Sequence, residues 1–166
     1  MKEKYGSEMK SKLLLKKVGI EYLEVLADLR IEFIKDMHPE YENEFLTELR
    51  KATINYFSVT LKKDSYIGFI GENSDGEITC TAGLLIYHLP PLTSSKPRKF
   101  GHVLNFYTRP NHRKKGYGRE LIEYMKTTAR LEGIDRLVLN ATKMGYKLYK
   151  KASFFEPEDM AMILDL

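Results

Sequence analysis

The chain has a single cysteine, Cys80. This excludes an internal disulfide framework and suits a reducing cytoplasm. Cys80 falls inside a strand-like run, where a small core residue is expected rather than a nucleophile. Long apolar runs are missing as well. None spans a bilayer and no signal-peptide core stands at the start, so a cytoplasmic chain with no membrane partner is expected. The four histidines, His38, His88, His102 and His112, do not stand at ligand spacing, so no metal is expected. No Ser-His-Asp or Cys-His arrangement is suggested. There is also no long basic arm. The net charge is +4, but the lysines are scattered from Lys2 to Lys151 among acids, which argues against nucleic acid as a partner. No internal repeat and no linker divides the chain.

What is present fits one compact domain: 166 residues, 43% hydrophobic and 30% charged. A chain of this size buries roughly 70% of its unfolded surface, enough for a core without staples. Residues 1–11 are mostly charged and aperiodic, which predicts a mobile tail before a single domain at 12–166. Leu13-Leu14-Leu15 reads as a first strand. Glu21 to Met37 reads as an amphipathic helix with Leu23, Leu26, Ala27, Ile34 and Met37 on one stripe. Arg30 falls on that stripe, either paired with an acid or lining an acceptor cleft. Pro39 breaks the helix. A second helical pattern runs from Glu40 to Leu61, with Tyr41, Phe45, Leu49, Ala52, Tyr56 and Val59 on its apolar face. Tyr66 to Gly71 and Glu77 to Leu89 are strand runs joined by the hairpin chemistry of Asn73-Ser74-Asp75-Gly76. Pro90 to Lys99 reads as a loop.

The most informative stretch is His102 to Leu131. It opens with the β-formers Val103 to Thr108 and turns at Arg109-Pro110-Asn111. It then passes through Arg113-Lys114-Lys115-Gly116-Tyr117-Gly118 and closes as a helix with Leu121, Ile122, Met125 and Ala129 on one face. Strand, glycine loop and helix together hold a pyrophosphate. The glycines let the backbone approach the anion, and the first N–H groups of the helix are unpaired at its positive dipole end. The third glycine of the dinucleotide fingerprint is absent, because Leu121 stands there, and so is the Gly-Lys-Ser/Thr of the P-loop. Beyond it, Gly133 ends the helix. Arg136 to Asn140 reads as a strand, Lys143 to Ala152 as a short helix, and the region from Met160 to Leu164 as a last strand.

The Arg113-x-x-Gly116-x-Gly118 pattern, after a strand and opening a helix, resembles the hallmark of the GNAT superfamily of acyl-CoA N-acyltransferases. A second signature about thirty residues on, Leu148-Tyr149-Lys150-Lys151 followed by Phe154, is similar to that family's too. One position departs: Ser153 stands where the family usually has glycine. The resemblance runs from about His102 to Leu166. It implies an α+β fold, with a mostly antiparallel, twisted central sheet of about six to seven strands, a splayed central pair and about four helices.

The resemblance also implies an acetyl-CoA cosubstrate, with no metal, and a primary amine of a small molecule or peptide as acceptor. Phe106, Tyr107 and Thr108 would pair with the pantetheine arm through their main chain, one N–H serving as oxyanion donor. Arg113, Lys114, Lys115, Gly116, Tyr117 and Gly118 would hold the pyrophosphate. Asn140 would either touch the pantetheine or cap its strand. Tyr149 would protonate the departing thiolate as catalytic acid, or only shape the pocket. Asp36, His38 and Glu40 border the implied acceptor side, and His102, Asp36 and His38 are candidates for the base, with a water chain as the alternative. Two other functions remain open at this level: a non-catalytic acyl-CoA sensor of the same fold, and a phosphate patch of Arg109, Arg113, Lys114, Lys115 and Arg119 that binds nucleic acid. A homodimer is compatible with the sequence.

Overall fold

The structure, a computed structural model, describes residues 13–92, 98–158 and 162–165. The expected tail at 1–11 lies outside them. Five strands form one sheet in chain order: β1 (Leu14–Val18), β2 (Tyr66–Glu72), β3 (Ile78–Leu89), β4 (Arg98–Thr108) and β5 (Arg136–Val138). The first four are antiparallel neighbours, and β5 is parallel to β4. Four α-helices complete the described fold: α1 (Leu23–Met37), α2 (Asn43–Lys62), α3 (Tyr117–Leu131) and α4 (Tyr146–Lys151).

The sheet is buried on both sides. Ile67, Phe69, Cys80, Ala82, Leu84 and Val103 form a core with Leu121, Ile122, Met125 and Ala129 of α3, and with Tyr149 and Ala152. Val18, Tyr66 and Ile70 form the opposite core with Leu26, Ala27 and Leu29 of α1 and with Phe57 and Leu61 of α2. The run Tyr66–Ile70 is buried without alternation because its successive side chains serve different cores.

Several expectations are corrected. The first helix starts with a separate 3-10 turn at Ile20–Tyr22. The stripe expected on α2 is out of phase: Phe45, Tyr56 and Val59 are exposed, while Leu46, Thr53, Phe57 and Leu61 are buried. Two apolar stripes lie one residue apart on this helix. Phe57 packs on Tyr66 at 4.8 Å between ring centroids, and that contact selects the stripe. The expected loop to Lys99 ends earlier, because β4 starts at Arg98, and residues 93–97 of it lie outside the described ones. The strand expected at Arg136–Asn140 stops at Val138, and the short helix starts at Tyr146. Residues 162–165 are in no strand, with Met162, Ile163 and Leu164 exposed; Met160 lies outside the described residues. The sheet therefore has five strands among the described residues, not six to seven.

Candidate active site

β5 pairs with β4 only at Phe100, Gly101 and His102, opposite Arg136, Leu137 and Val138. From Val103 onward, the edge of β4 turned away from β3 has no strand partner among the described residues. The expected splay of the central pair thus opens at His102. A bulge lies three residues further on. The β3–β4 register slips between Thr81 and Gly83, so that Asn105 and Phe106 share the place of one residue opposite Ala82. Asn105 takes a left-handed φ of 52°, which asparagine adopts more readily than most side chains.

The extra residue shifts the strand's alternation by one. Leu104 faces the α1–α2 core, and Asn105 faces it too, bonding Arg30 of α1 and Tyr66 of β2. Phe106 then turns to the α3–α4 core, and Tyr107 returns to α1, 5.6 Å from the Phe33 ring. A bulge on a strand re-aims side chains in this way. Here it divides the open edge into two faces.

On the α3–α4 face lies the glycine loop. Lys114 and Gly116 are both left-handed, at φ 61° and 91°, and Gly116 is the N-cap of α3 without a capping side chain. The main-chain N–H groups of Lys114, Lys115, Gly116, Tyr117 and Gly118 have no acceptor among the described residues. Five consecutive free amides at a helix N-terminus form an anion cradle. The side chains of Lys114, Lys115 and Arg119 are exposed and in no ion pair among the described residues, so they add positive charge. A Cβ on Gly118 would sit 3.3 Å from Leu148 and 3.6 Å from Phe106, so the glycine keeps the helix start against β4. Tyr117 contributes its amide, since its ring stacks toward His112.

Arg113 is turned elsewhere. Its guanidinium bonds Asp36 of α1 and donates through Nε to the Thr108 carbonyl at 3.0 Å, lying 5.7 Å over the Tyr107 ring. Arg109 grips both carboxylate oxygens of Glu32 at 2.8 and 2.7 Å and donates to the Ile78 carbonyl. These two arginines clamp α1 to the end of β4. Of the acceptor-side candidates, Asp36 is engaged by Arg113, and His38 bonds Glu40 at 3.0 Å. His102 has no side-chain partner among the described residues. It stands at the parting of the strands, on the same face as Leu104 by alternation.

Tyr149 is buried, its ring edge-on to Phe106 at 5.6 Å. Its hydroxyl has no hydrogen-bond partner among the described residues. Burial pushes its pKa up to about 12, because a phenolate loses hydration there. Asn140 lies beyond the end of β5 and is exposed. It borders a cavity of about 820 Å³ between α3, β5 and α4, to which Tyr146 and Tyr149 also contribute. No β4 residue lines that cavity. The sequence reading missed Asn105, Tyr66 and Gly83. Only an asparagine amid β-formers hinted at the first of them.

Solved structures share this fold. A predicted acetyltransferase with acetyl-CoA from Clostridium acetobutylicum superposes with a TM-score of 0.77 at 22% identity, covering 92% of this chain and 96% of that one. A GCN5-related N-acetyltransferase from Ralstonia eutropha gives 0.75 at 25% identity, covering 92% and 98%. A glucosamine-6-phosphate N-acetyltransferase from Arabidopsis thaliana gives 0.64 at 14% identity, covering 93% and 100%. No curated protein matches the chain. The acetyltransferase (GNAT) family matches residues 24–154, a span that takes in both clamps, the bulge, the amide cradle and Tyr149. The chain is therefore a member of the acetyltransferase (GNAT) family, an enzyme that transfers an acetyl group.

Proposed function

We propose that the protein is an N-acetyltransferase that uses acetyl-CoA, transferring its acetyl group to a primary amine of a small molecule or peptide by direct attack on the thioester. The run of five unpartnered amides from Lys114 to Gly118 carries this reading, because it fits a diphosphate. The free edge of β4 beyond His102 supports it, because main-chain groups there can pair with an extended amide-containing arm. The likeness to the Clostridium protein, whose structure holds acetyl-CoA, supports it further. The Thr108 carbonyl is already used by Arg113, and Tyr107 stands opposite Thr81 in the same hydrogen-bonding phase as Arg109 with Thr79, so its main chain is turned to β3 and Phe106 is the better main-chain contact.

The bound thioester supplies an activated acetyl carbon and a thiol leaving group. A main-chain N–H at the Asn105–Phe106 bulge stabilises the oxyanion, being fixed before reaction. His102, with a free ring on the α1 face, takes the amine's proton. Tyr149 stays protonated, since its pKa is about 12, and donates a hydrogen bond to the departing sulfur. Complete transfer of its proton to a thiolate of pKa about 8.5 is uphill, so hydrogen bonding rather than full protonation is its contribution.

Thiol release from acetyl-CoA against a panel of amines, with calorimetric binding of coenzyme A, tests the function. Gly118→Asp is the decisive variant. An acid in the first turn of α3 suits the helix dipole, while the diphosphate meets like charge; because its Cβ would press on Leu148 at 3.3 Å, an unchanged circular dichroism spectrum and melting temperature are required alongside. Binding should weaken by at least about 100-fold. Undiminished binding would overturn the reading.

A further inference from the structure

Four acids of α1 stand at four-residue spacing, Glu24, Asp28, Glu32 and Asp36, and each has an arginine. Arg50 takes Glu24 and Asp28, Arg109 takes Glu32, and Arg113 takes Asp36. Arg30 lies on the face of α1 turned to the sheet and belongs to no ion pair among the described residues. Arg30 is half-buried, and its guanidinium spends one donor, Nη1, on the Asn105 side-chain oxygen. Of the five N–H donors of an arginine, four have no acceptor among the described residues, and no carboxylate there compensates the charge.

The group is also held in direction. Asn105 donates to the Tyr66 hydroxyl at 2.9 Å. That hydroxyl occupies the space of a missing side chain, since a Cβ on Gly83 would lie 1.8 Å from it. Tyr66 is itself buried. The chain Gly83, Tyr66, Asn105, Arg30 thus runs from the middle of the sheet to a cation whose aim is set before any ligand arrives. A pre-aimed guanidinium fork matches a carboxylate or a phosphate. Its position matters as much as its charge. Asn105 and Phe106 are the two residues of the bulge, Phe106 facing the cradle and Tyr149, Asn105 facing Arg30. Resting on the proposed function, an amine attacking at the bulge from the α1 side has this cation beside it.

We propose that Arg30 recognises an oxyanion, carboxylate or phosphate, borne by the acceptor a few bonds from its reacting amine. The acceptor class is then amino acids, peptides with a nearby carboxylate, or amino-sugar phosphates, rather than polyamines.

The test uses the full chain and matched acceptors: an amino acid against its amide, and an amino-sugar phosphate against the free amino sugar. In the wild type, the anionic member of at least one pair is expected to have a kcat/KM about 10- to 100-fold higher, through KM. The pair that shows it tells carboxylate from phosphate. Arg30→Gln can still donate to Asn105 but has lost the charge and the fork, and it should bring the ratio near one. A second arm needs no acceptor. With coenzyme A bound, millimolar acetate or inorganic phosphate should raise the melting temperature of the wild type and not of Arg30→Gln. Preference for the neutral or polycationic acceptors, or equal loss for both members of a pair in Arg30→Gln, overturns the proposal. So does absence of any anion-dependent shift. Coenzyme A affinity separates the two readings: Arg30→Gln should leave it within about twofold, whereas a wild type that does not bind coenzyme A refutes the proposed function instead.

Discussion

Tyr149 and Arg113 are two side chains of one site with different histories. Tyr149 reaches its place by local means. It lies in a six-residue helix, α4, whose Leu148 abuts Gly118 and whose Phe154 packs on the Tyr149 ring at 5.7 Å. Removing its hydroxyl leaves that packing intact. Tyr149→Phe should therefore lower kcat by about 10- to 100-fold and change coenzyme A affinity by no more than about twofold, measured by initial rates and calorimetry. Equal loss of both would reduce Tyr149 to a wall of the pocket. The tyrosine was legible from the Leu-Tyr-Lys-Lys signature, which lies within four residues. Arg113 was legible as a residue of the pyrophosphate loop, but not as a partner of Asp36. Its partner Asp36 is 77 residues away in the chain, and no local pattern announces which of several acids it will meet. The same holds for Arg30 and Asn105, 75 residues apart.

At the scale of elements, α4 ends in a left-handed residue at the one position where the chain departs from the family's glycine. Ser153 has φ 70°. The Ser153 N–H bonds the Lys150 carbonyl and the Phe154 N–H bonds the Tyr149 carbonyl, the double bond of a Schellman turn. Serine pays a steric cost here that glycine avoids. Ser153→Gly should raise stability by about 0.5–1 kcal/mol, after the greater entropy of unfolded glycine is deducted. That is about 1–4 °C in a thermal melt for a chain of this size. An unchanged or lower melting temperature would mean that the turn is not under strain. The neighbouring helix α3 solves the same problem with Gly133, at φ 67°. The Gly133 turn could be read ahead, because its geometry depends on a few consecutive residues. The phase of α2 could not. Phe45, Tyr56 and Val59 are as apolar as the residues that are buried, and periodicity alone does not say which stripe faces the sheet.

The whole molecule has its own titration behaviour. Burial raises Cys80 to about 11 and Tyr149 to about 12, and raises Tyr66 as well. In each case the native state holds its proton to higher pH than the unfolded chain, whose values are near 8.5 for cysteine and 10 for tyrosine. The stability these groups contribute is complete below about pH 8.5. It is lost as pH climbs through the folded values. Urea unfolding at pH 10.5 should show about 4 kcal/mol less stability than at pH 8, with Cys80 closed to thiol reagents until the chain opens. A flat profile to pH 11 would show that these groups are not buried in solution.

Much followed from the sequence alone: the order of strands and helices from β1 to α4, the glycine loop at the start of α3 and the place of Tyr149 on a short last helix. Each of these depends on backbone preferences and hydrophobic periods within a few residues. The tertiary structure alone decided which stripe of α2 is buried, how α1 is clamped to β4 by Arg109 and Arg113, and that Arg30 is left with its charge uncompensated beside the bulge. Those outcomes depend on side chains that meet only when the sheet has formed. The energy of a charge or an apolar face is set by what lies opposite it in space, not by its neighbours along the chain.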